Sequence, residues 1–186
     1  MSFRGILSRA FGGIGSMVID YEKLKNWKFD ETHQKITPKD VILYALGVGL
    51  GENPTDENEL RFVYEENLLA LPSMASVLGY PGNWLRNPNS GVNYLKLVNA
   101  GNAFTIHNPI PTEGTLVGQA RVEDIIDKGE GRGALVSAIR DVYHEETGDL
   151  ICTIRTTTYC RADGGFGGPS GPVPEPQAIP DTKPEL

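Results

Sequence analysis

The sequence predicts an α+β fold in which a long, curved antiparallel sheet wraps on a central helix. Residues 115–127, 133–143 and 149–161 read as long strands. The turns between them are Lys128-Gly129-Glu130-Gly131-Arg132 and His144-Glu145-Glu146-Thr147-Gly148, ordinary glycine-bearing hairpin connections. The last strand is dense in β-branched residues (Ile151, Thr153, Ile154, Thr156, Thr157, Thr158), which suit a pleated, half-buried surface. At ~3.3 Å per residue these strands would run about 36–43 Å, a length that implies a strongly curved sheet. The third observation is a capped, apolar helix starting after Thr37.

Bulk properties narrow the function classes. With 186 residues the chain can build one domain with a real core, since a domain of about 150 residues buries roughly 70% of its unfolded surface. A net charge of −7 gives no electrostatic footprint for nucleic acid. No run of about 18 apolar residues occurs, so no membrane span is expected. Cys152 and Cys160 are the only cysteines. On an extended strand they lie about 26 Å apart and cannot bond each other. Their scarcity points to an intracellular protein with small core thiols rather than nucleophiles.

In chain order, residues 1–16 carry Arg4 and Arg9, several serines and no acid. They suit a flexible extension or a transit-like segment, with Met17 a plausible start. Residues 18–31 are ambiguous, with Tyr21, Leu24, Trp27 and Phe29 able to cover one side of a sheet. Thr37 is a good N-cap, Pro38 suits the first helical position, and Asp40 sits where a capping-box acid belongs. Val41, Ile42, Ala45, Leu46 and Val48 make a wide apolar stripe that predicts burial against the sheet, ended by Gly47, Gly49 and Gly51. Residues 53–59 read as a polar loop, 60–65 as a short strand, and 71–78 as a short helix stopped by Gly79 and Pro81. Residues 81–91 read as loop, 92–98 as ambiguous, and 103–107 as a strand broken by prolines. Beyond Arg161 a glycine run leads into a proline-rich stretch, so a domain of residues 17–162 would be followed by a Gly/Pro-rich linker or tail over 163–186. A helix across a long curved antiparallel sheet is the hot-dog arrangement.

Chemistry is sparse. His33, His107 and His144 have no paired spacing with one another or with the cysteines, so no metal site is expected. No nucleophile elbow appears. Gly129-Glu130-Gly131-Arg132-Gly133 lacks the features of a phosphate loop and reads as a hairpin turn. Lys128, Gly129 and Arg132 there remain candidates for meeting the phosphates of a nucleotide-bearing substrate. Gly51-Glu52-Asn53-Pro54 has an acid and a turn but no following histidine.

Several segments in order then resemble one family: residues 40–49, 60–65, Ala70-Leu71-Pro72-Ser73-Met74, 107–111, Asp127-Lys128-Gly129 and Gly164-Gly165-Phe166-Gly167-Gly168. Together they are similar to the N-terminal half of the type 2 enoyl-CoA hydratases, MaoC-like double-hot-dog enzymes that include the hydratase part of the peroxisomal multifunctional enzyme. In that family the C-terminal half carries the catalytic pair in a motif of the type Leu-Tyr-x-Leu-Ser-Gly-Asp-x-Asn-Pro-x-His. The echo here begins at Leu43-Tyr44-Ala45-Leu46, which sets Gly49 at the catalytic Asp position and Pro54 at the His position. A family His-Gly-Glu-Gln stretch is replaced by Asn99-Ala100-Gly101-Asn102.

The resemblance implies a substrate-binding half with no catalytic residue of its own, no cofactor, and trans-2-enoyl-CoA as substrate. It implies a second hot-dog domain as partner, either the missing catalytic half or an identical copy. It further implies an intracellular setting: cytoplasmic in a bacterium, peroxisomal or mitochondrial in a eukaryote. Candidate substrate-binding residues are Met74, Val77 and Leu78 as pocket walls, Asn99, Gly101 and Asn102 on the altered stretch, and Lys128, Gly129 and Arg132 at the turn. The alternative is a stand-alone hot-dog acyl-CoA binder, or a thioesterase using Glu65 or Glu66.

Overall fold

The three-strand meander is the centre of a five-stranded antiparallel sheet of order β1-β3-β4-β5-β2. The strands are β1 (Thr32–Ile36), β2 (Leu97–Ile106), β3 (Gly114–Asp127), β4 (Ala134–His144) and β5 (Leu150–Cys160). The computed structural model describes residues 18–172 together with 175, 178 and 182. The expectations for residues 1–16, and for most of the stretch beyond 172, lie outside the described residues.

Register explains why the alternation in β3 looked loose. A bulge between Val122 and Asp124 inserts an extra residue, so inward positions change from even (Leu116, Gly118, Ala120, Val122) to odd (Ile125, Asp127). The inner face carries the core. The outer face carries the ion pairs Arg121–Asp141 and Arg155–Glu123. Two strands differ from expectation: β1 lacks a β-rich composition, and β2 starts at Leu97 rather than near residue 103, interrupted by a bulge between Asn99 and Gly101. Most of β2 is exposed, which removes the periodicity that would have marked it.

Among the described residues three α-helices precede β2. Helix α1 (Tyr21–Lys25) is capped by the Asp20 side chain, which accepts from the Lys23 amide at 3.0 Å. Helix α2 (Pro38–Gly47) forms with the expected capping box, the Thr37 amide donating to Asp40 at 2.9 Å. Its expected burial is only half realised. Val41 and Ala45 are buried, but Leu43, Leu46 and Val48 remain 63%, 50% and 55% exposed. The helix touches the core through Val41 and Tyr44 and turns Leu43, Leu46 and Val48 outward. The stretch expected as a strand, residues 60–65, instead belongs to helix α3 (Glu57–Val63). Asp56 caps it by accepting from the Asn58 amide at 2.9 Å, with Glu57 and Glu59 in the first turn and Arg61 in the last. These end effects outweigh the weak β preference of Phe62, Val63 and Tyr64.

The inner face is covered by a chain segment with little regular structure. Residues Pro72–Val77, Trp84–Arg86, Pro88–Ser90 and Tyr94–Lys96 form short 3-10 turns. This segment touches the sheet backbone to backbone at Gly79 and Gly118. A Cβ on Gly118 would lie 2.4 Å from the Gly79 carbonyl oxygen and 2.8 Å from its Cα. The Gly79 amide donates to Gln34 Oε1 at 2.6 Å, tying the segment to β1 as well. Two core clusters result. One gathers Ile36, Val41, Met74, Leu78, Leu116, Val142 and Cys152; the other gathers Ile19, Leu24, Leu85, Val92, Ile125, Val136 and Cys160. Tyr21, Trp27 and Phe29 pack on the second cluster, as expected.

The glycine run after Arg161 is part of the domain rather than a free linker. Asp127 Oδ1 accepts from the amides of Gly129 at 2.8 Å and Gly165 at 2.7 Å, and Oδ2 from Gly167 at 2.8 Å. The Asp127 amide donates to the Pro169 carbonyl at 2.7 Å. Residues 164–169 are thereby latched onto the β3–β4 hairpin. Burial alone would raise the Asp127 carboxyl, but the amides of Gly165, Gly129, Gly167 and Gly168 overcome this and hold it below the usual carboxylate range. Burial raises Asp163, only partly offset by the Asn93 amide and Lys96.

Two predictions follow from these contacts. Gly118→Ala forces the covering segment off the sheet and should cost about 1–3 kcal/mol in urea unfolding. Asp127→Asn turns an amide donor toward one of the glycine N–H groups and should cost about 2–3 kcal/mol at neutral pH. Because the folded pKa of Asp127 is depressed, its stabilisation is complete above the unfolded value of about 3.9 and lost as pH falls through the folded value. Asp163, shifted upward, acts with the opposite sign. Thermal unfolding between pH 2 and 7 should therefore show less acid loss in Asp127→Asn than in the parent.

Candidate functional site

Between the two core clusters the inner face is left unfilled, forming a cavity of about 350 Å³, within the range of small-molecule pockets. Its floor follows from register. Arg140 stands opposite Ile154, Ala138 opposite Thr156, and Val136 opposite Thr158, while Asn102 and Asn99 of β2 stand opposite Thr156 and Thr158. Directly opposed residues of an antiparallel pair share a face. The floor is therefore small at Ala138 on β4, charged at Arg140, and polar toward the β5–β2 side. The roof comes from the segment held by Gly79, through Ser76, Tyr80, Asn83, Trp84 and Leu85, with Phe29 alongside. Trp84 is fixed by edge packing on Phe29 at 5.0 Å and by Trp27 at 5.5 Å.

Arg140 dominates the electrostatics. It is 6% exposed. Its Nη2 donates to the Ser76 carbonyl at 3.1 Å, its guanidinium carbon lies 5.6 Å from the centre of the Tyr80 ring, and its buried Nε has no acceptor. Burial lowers its pKa from the usual arginine value, offset in part by Cys152 and Tyr80. Cys152 is pushed up to about 11 by burial against the pull of Arg140, and Cys160 to about 12 by burial and Asp163. Both are unbonded, buried thiols, unsuited to nucleophilic work at neutral pH.

Among the described residues no Asp, Glu or His lines the cavity, so these supply it with no carboxylate–imidazole pair for moving a proton. Among the described residues no three His, Cys, Asp or Glu side chains group as a metal site, and no helix is long and apolar enough to cross a membrane. Gly49 lies beyond the end of α2 with φ of 96°.

The sequence-predicted site residues divide. Asn99 and Asn102 line the cavity, whereas Gly101 lies in β2 between them without lining it. Met74 and Leu78 are core residues of the first cluster and do not line the cavity, and Val77 is exposed. The 3-10 turn and its C-cap put Met74, Ala75 and Leu78 into the core and leave Val77 exposed, so they form no single helical wall. Nor does the cavity lie between α2 and the sheet, since no α2 residue lines it. Lys128, Gly129 and Arg132 are at the β3–β4 turn outside the cavity. The Gly129 amide is spent on Asp127 and the Arg132 amide on the Gly129 carbonyl, so these amides are not free for an anion; Lys128 Nζ lies 5.0 Å from the Tyr159 ring centre. Glu65 and Glu66 are exposed and outside the cavity.

Sequence reasoning missed Arg140, Thr156, Thr158, Tyr80 and Trp84. Arg140 did carry a signal: it falls in the inward series Val136, Ala138, Arg140, Val142, where a lone charge is out of place.

The model for the MFE-2 hydratase 2 N-terminal domain family matches residues 35–162. Peroxisomal enoyl-CoA hydratase 2 of Arabidopsis thaliana is 32% identical over 152 residues, covering 78% of this chain and 48% of its own length. The chain spans about half the length of the first curated relatives it matches. Among solved structures, the MaoC-like dehydratase from Phytophthora capsici gives a TM-score of 0.70 at 22% identity, covering 90% of this chain and 58% of that one. The ChsH1-ChsH2 complex from Mycobacterium tuberculosis gives 0.53 at 13% identity, covering 76% and 94%. Likeness at these identities establishes the hot-dog fold. With the family match extending from β1 through β5, this hot-dog chain belongs to the MFE-2 hydratase 2 N-terminal domain family.

Proposed function

We propose that this chain is the substrate-holding, N-terminal half of an (R)-specific enoyl-CoA hydratase and that the proton-transfer pair is supplied by a second hot-dog domain. The observation that carries the reading is a ligand-sized cavity in a hydratase-family fold whose lining, among the described residues, contains no Asp, Glu or His. Such a half contributes binding and orientation, which alone can remove a large part of a barrier by holding the reacting groups together. The reaction adds water across the C2=C3 bond of a trans-2-enoyl-CoA, hydroxyl to C3 and proton to C2, giving the (3R)-hydroxyacyl-CoA without a cofactor. The acid and base acting on that water reside in the other domain. In this half the corresponding positions are Gly49 and Pro54, neither of which carries a proton at its side chain.

The second domain has a natural place to dock. Strand β2 is an edge of the sheet and is exposed along most of its length, with Val98 and Phe104 among its exposed apolar residues. An open edge of ten residues is a template for another strand. The ChsH1-ChsH2 neighbour, itself a complex, is consistent with such pairing. The thioesterase alternative is disfavoured because Glu65 and Glu66 are solvent-exposed and apart from the cavity.

The isolated chain should hydrate crotonyl-CoA at least about 10³-fold more slowly than the chain joined to a hot-dog half bearing the Asp-x-Asn-Pro-x-His motif. Loss of enoyl thioester absorbance reads the reaction. Rapid turnover by the isolated chain would defeat the half-enzyme reading, and release of free thiol would establish the thioesterase.

A further inference from the structure

We propose that Arg140 makes the cavity a receptor for the distal carboxylate of an ω-carboxyacyl chain, so that the substrate held here is the monothioester of a dicarboxylic acid. This rests on the reading of the cavity as the acyl site. If the reacting carbons meet their acid and base in the other domain, the part of the substrate reaching this cavity is remote from the thioester.

The cavity is poorly suited to a plain hydrocarbon end. Arg140 is nine-tenths buried, yet among the described residues its guanidinium has no carboxylate partner. The acidic neighbour in sequence, Asp141, points to the opposite face, where it accepts from Arg121 and from the Thr153 hydroxyl at 2.7 Å. The groups that do face Arg140 are the Ser76 carbonyl, the Tyr80 ring and the Cys152 thiol. One buried N–H has no acceptor. A guanidinium removed from water without an anion is destabilised, and a planar carboxylate is the group its fork fits best. The floor beside it adds Thr156, Thr158, Asn99 and Asn102. A methyl-ended chain would strip water from all of these and return no hydrogen bond. A carboxylate pairs the charge and offers further acceptor sites.

The experiment has two arms. Titration calorimetry of the chain compares 9-carboxynonanoyl-CoA with decanoyl-CoA, which have the same carbon count. NMR follows the Arg140 Nε–Hε resonance, assigned by its loss in Arg140→Met, on addition of hexanoate and, as a control, hexanol. Tighter binding of the carboxyl-ended thioester, by about tenfold to a hundredfold, with a hexanoate-specific shift of that resonance, supports the proposal. Arg140→Met should abolish the preference, and Arg140→Lys should keep part of it. Equal or tighter binding of decanoyl-CoA overturns the proposal and leaves the acyl site standing. A hexanoate shift with neither thioester bound supports the anion site but overturns its acyl-CoA occupant together with the proposed function. An unmoved resonance with neither thioester bound overturns both. Should Arg140→Met fail to fold, the thioester comparison together with hexanoate against hexanol on the parent chain, with the resonance assigned through Arg140→Lys, decides the question.

Discussion

The contact between Gly79 and Gly118 sets the height at which the covering segment crosses the sheet. No side chain intervenes there, so backbone meets backbone, and any Cβ would push the segment away. From that pinned point the chain runs through Tyr80 to Leu85, over the middle of the inner face. The floor beneath is small at Ala120 and Ala138. A roof held close at one point above a floor of short side chains leaves space rather than core. The two hydrophobic clusters on either side hold the roof in place without filling that space.

The second constraint is at the other end of the sheet, where one carboxylate organises the hairpin and the glycine run together. Asp127 lies at the end of β3, after the bulge has turned it inward. Its acceptors take amides from both sides of the latch, and Gly164 fits so tightly that a Cβ would meet the Gly129 carbonyl oxygen at 2.3 Å. A loop rich in glycine has no hydrophobic reason to stay docked. Here a buried, fully used carboxylate supplies one. The same amides that make the hairpin resemble a phosphate cradle are thereby consumed inside the protein.

Much of the architecture was legible in the sequence because it depended on local chemistry. The meander was marked by two glycine turns between β-branched runs, and α2 by Thr37, Pro38 and Asp40. What escaped depended on long-range placement. The stretch Leu60 to Glu65 looks β-like when taken alone, and only Asp56 and the acidic first turn of α3 reveal the helix. The apolar stripe of α2 suggested burial, but burial is decided by what packs against it, and only the side of Val41 and Ala45 is buried. Asn99 and Asn102 were singled out and do line the cavity, although Met74 and Leu78 went to the core. The cavity itself arises from register across four strands, and no window of sequence contains that information.

The exposed features fit the proposal of a domain that docks on another. A free edge at β2 and the outward apolar residues Leu43, Leu46 and Val48 of α2 are both costly to leave in water. Ordinary edge protection is scarce on β2: the strand Leu97–Ile106 carries no proline and no charged residue. The outer face, by contrast, is well dressed with ion pairs and hydroxyl pairs such as Ser137 and Thr157 at 3.1 Å. A sheet that protects one face and leaves an edge unguarded has the features expected of a chain that gains its missing strand contacts from another domain. In the proposed half-enzyme, binding lies on this side and proton transfer on the other. A cavity whose described lining holds no carboxylate and no imidazole fits that proposal, because neither would compete for the reacting water.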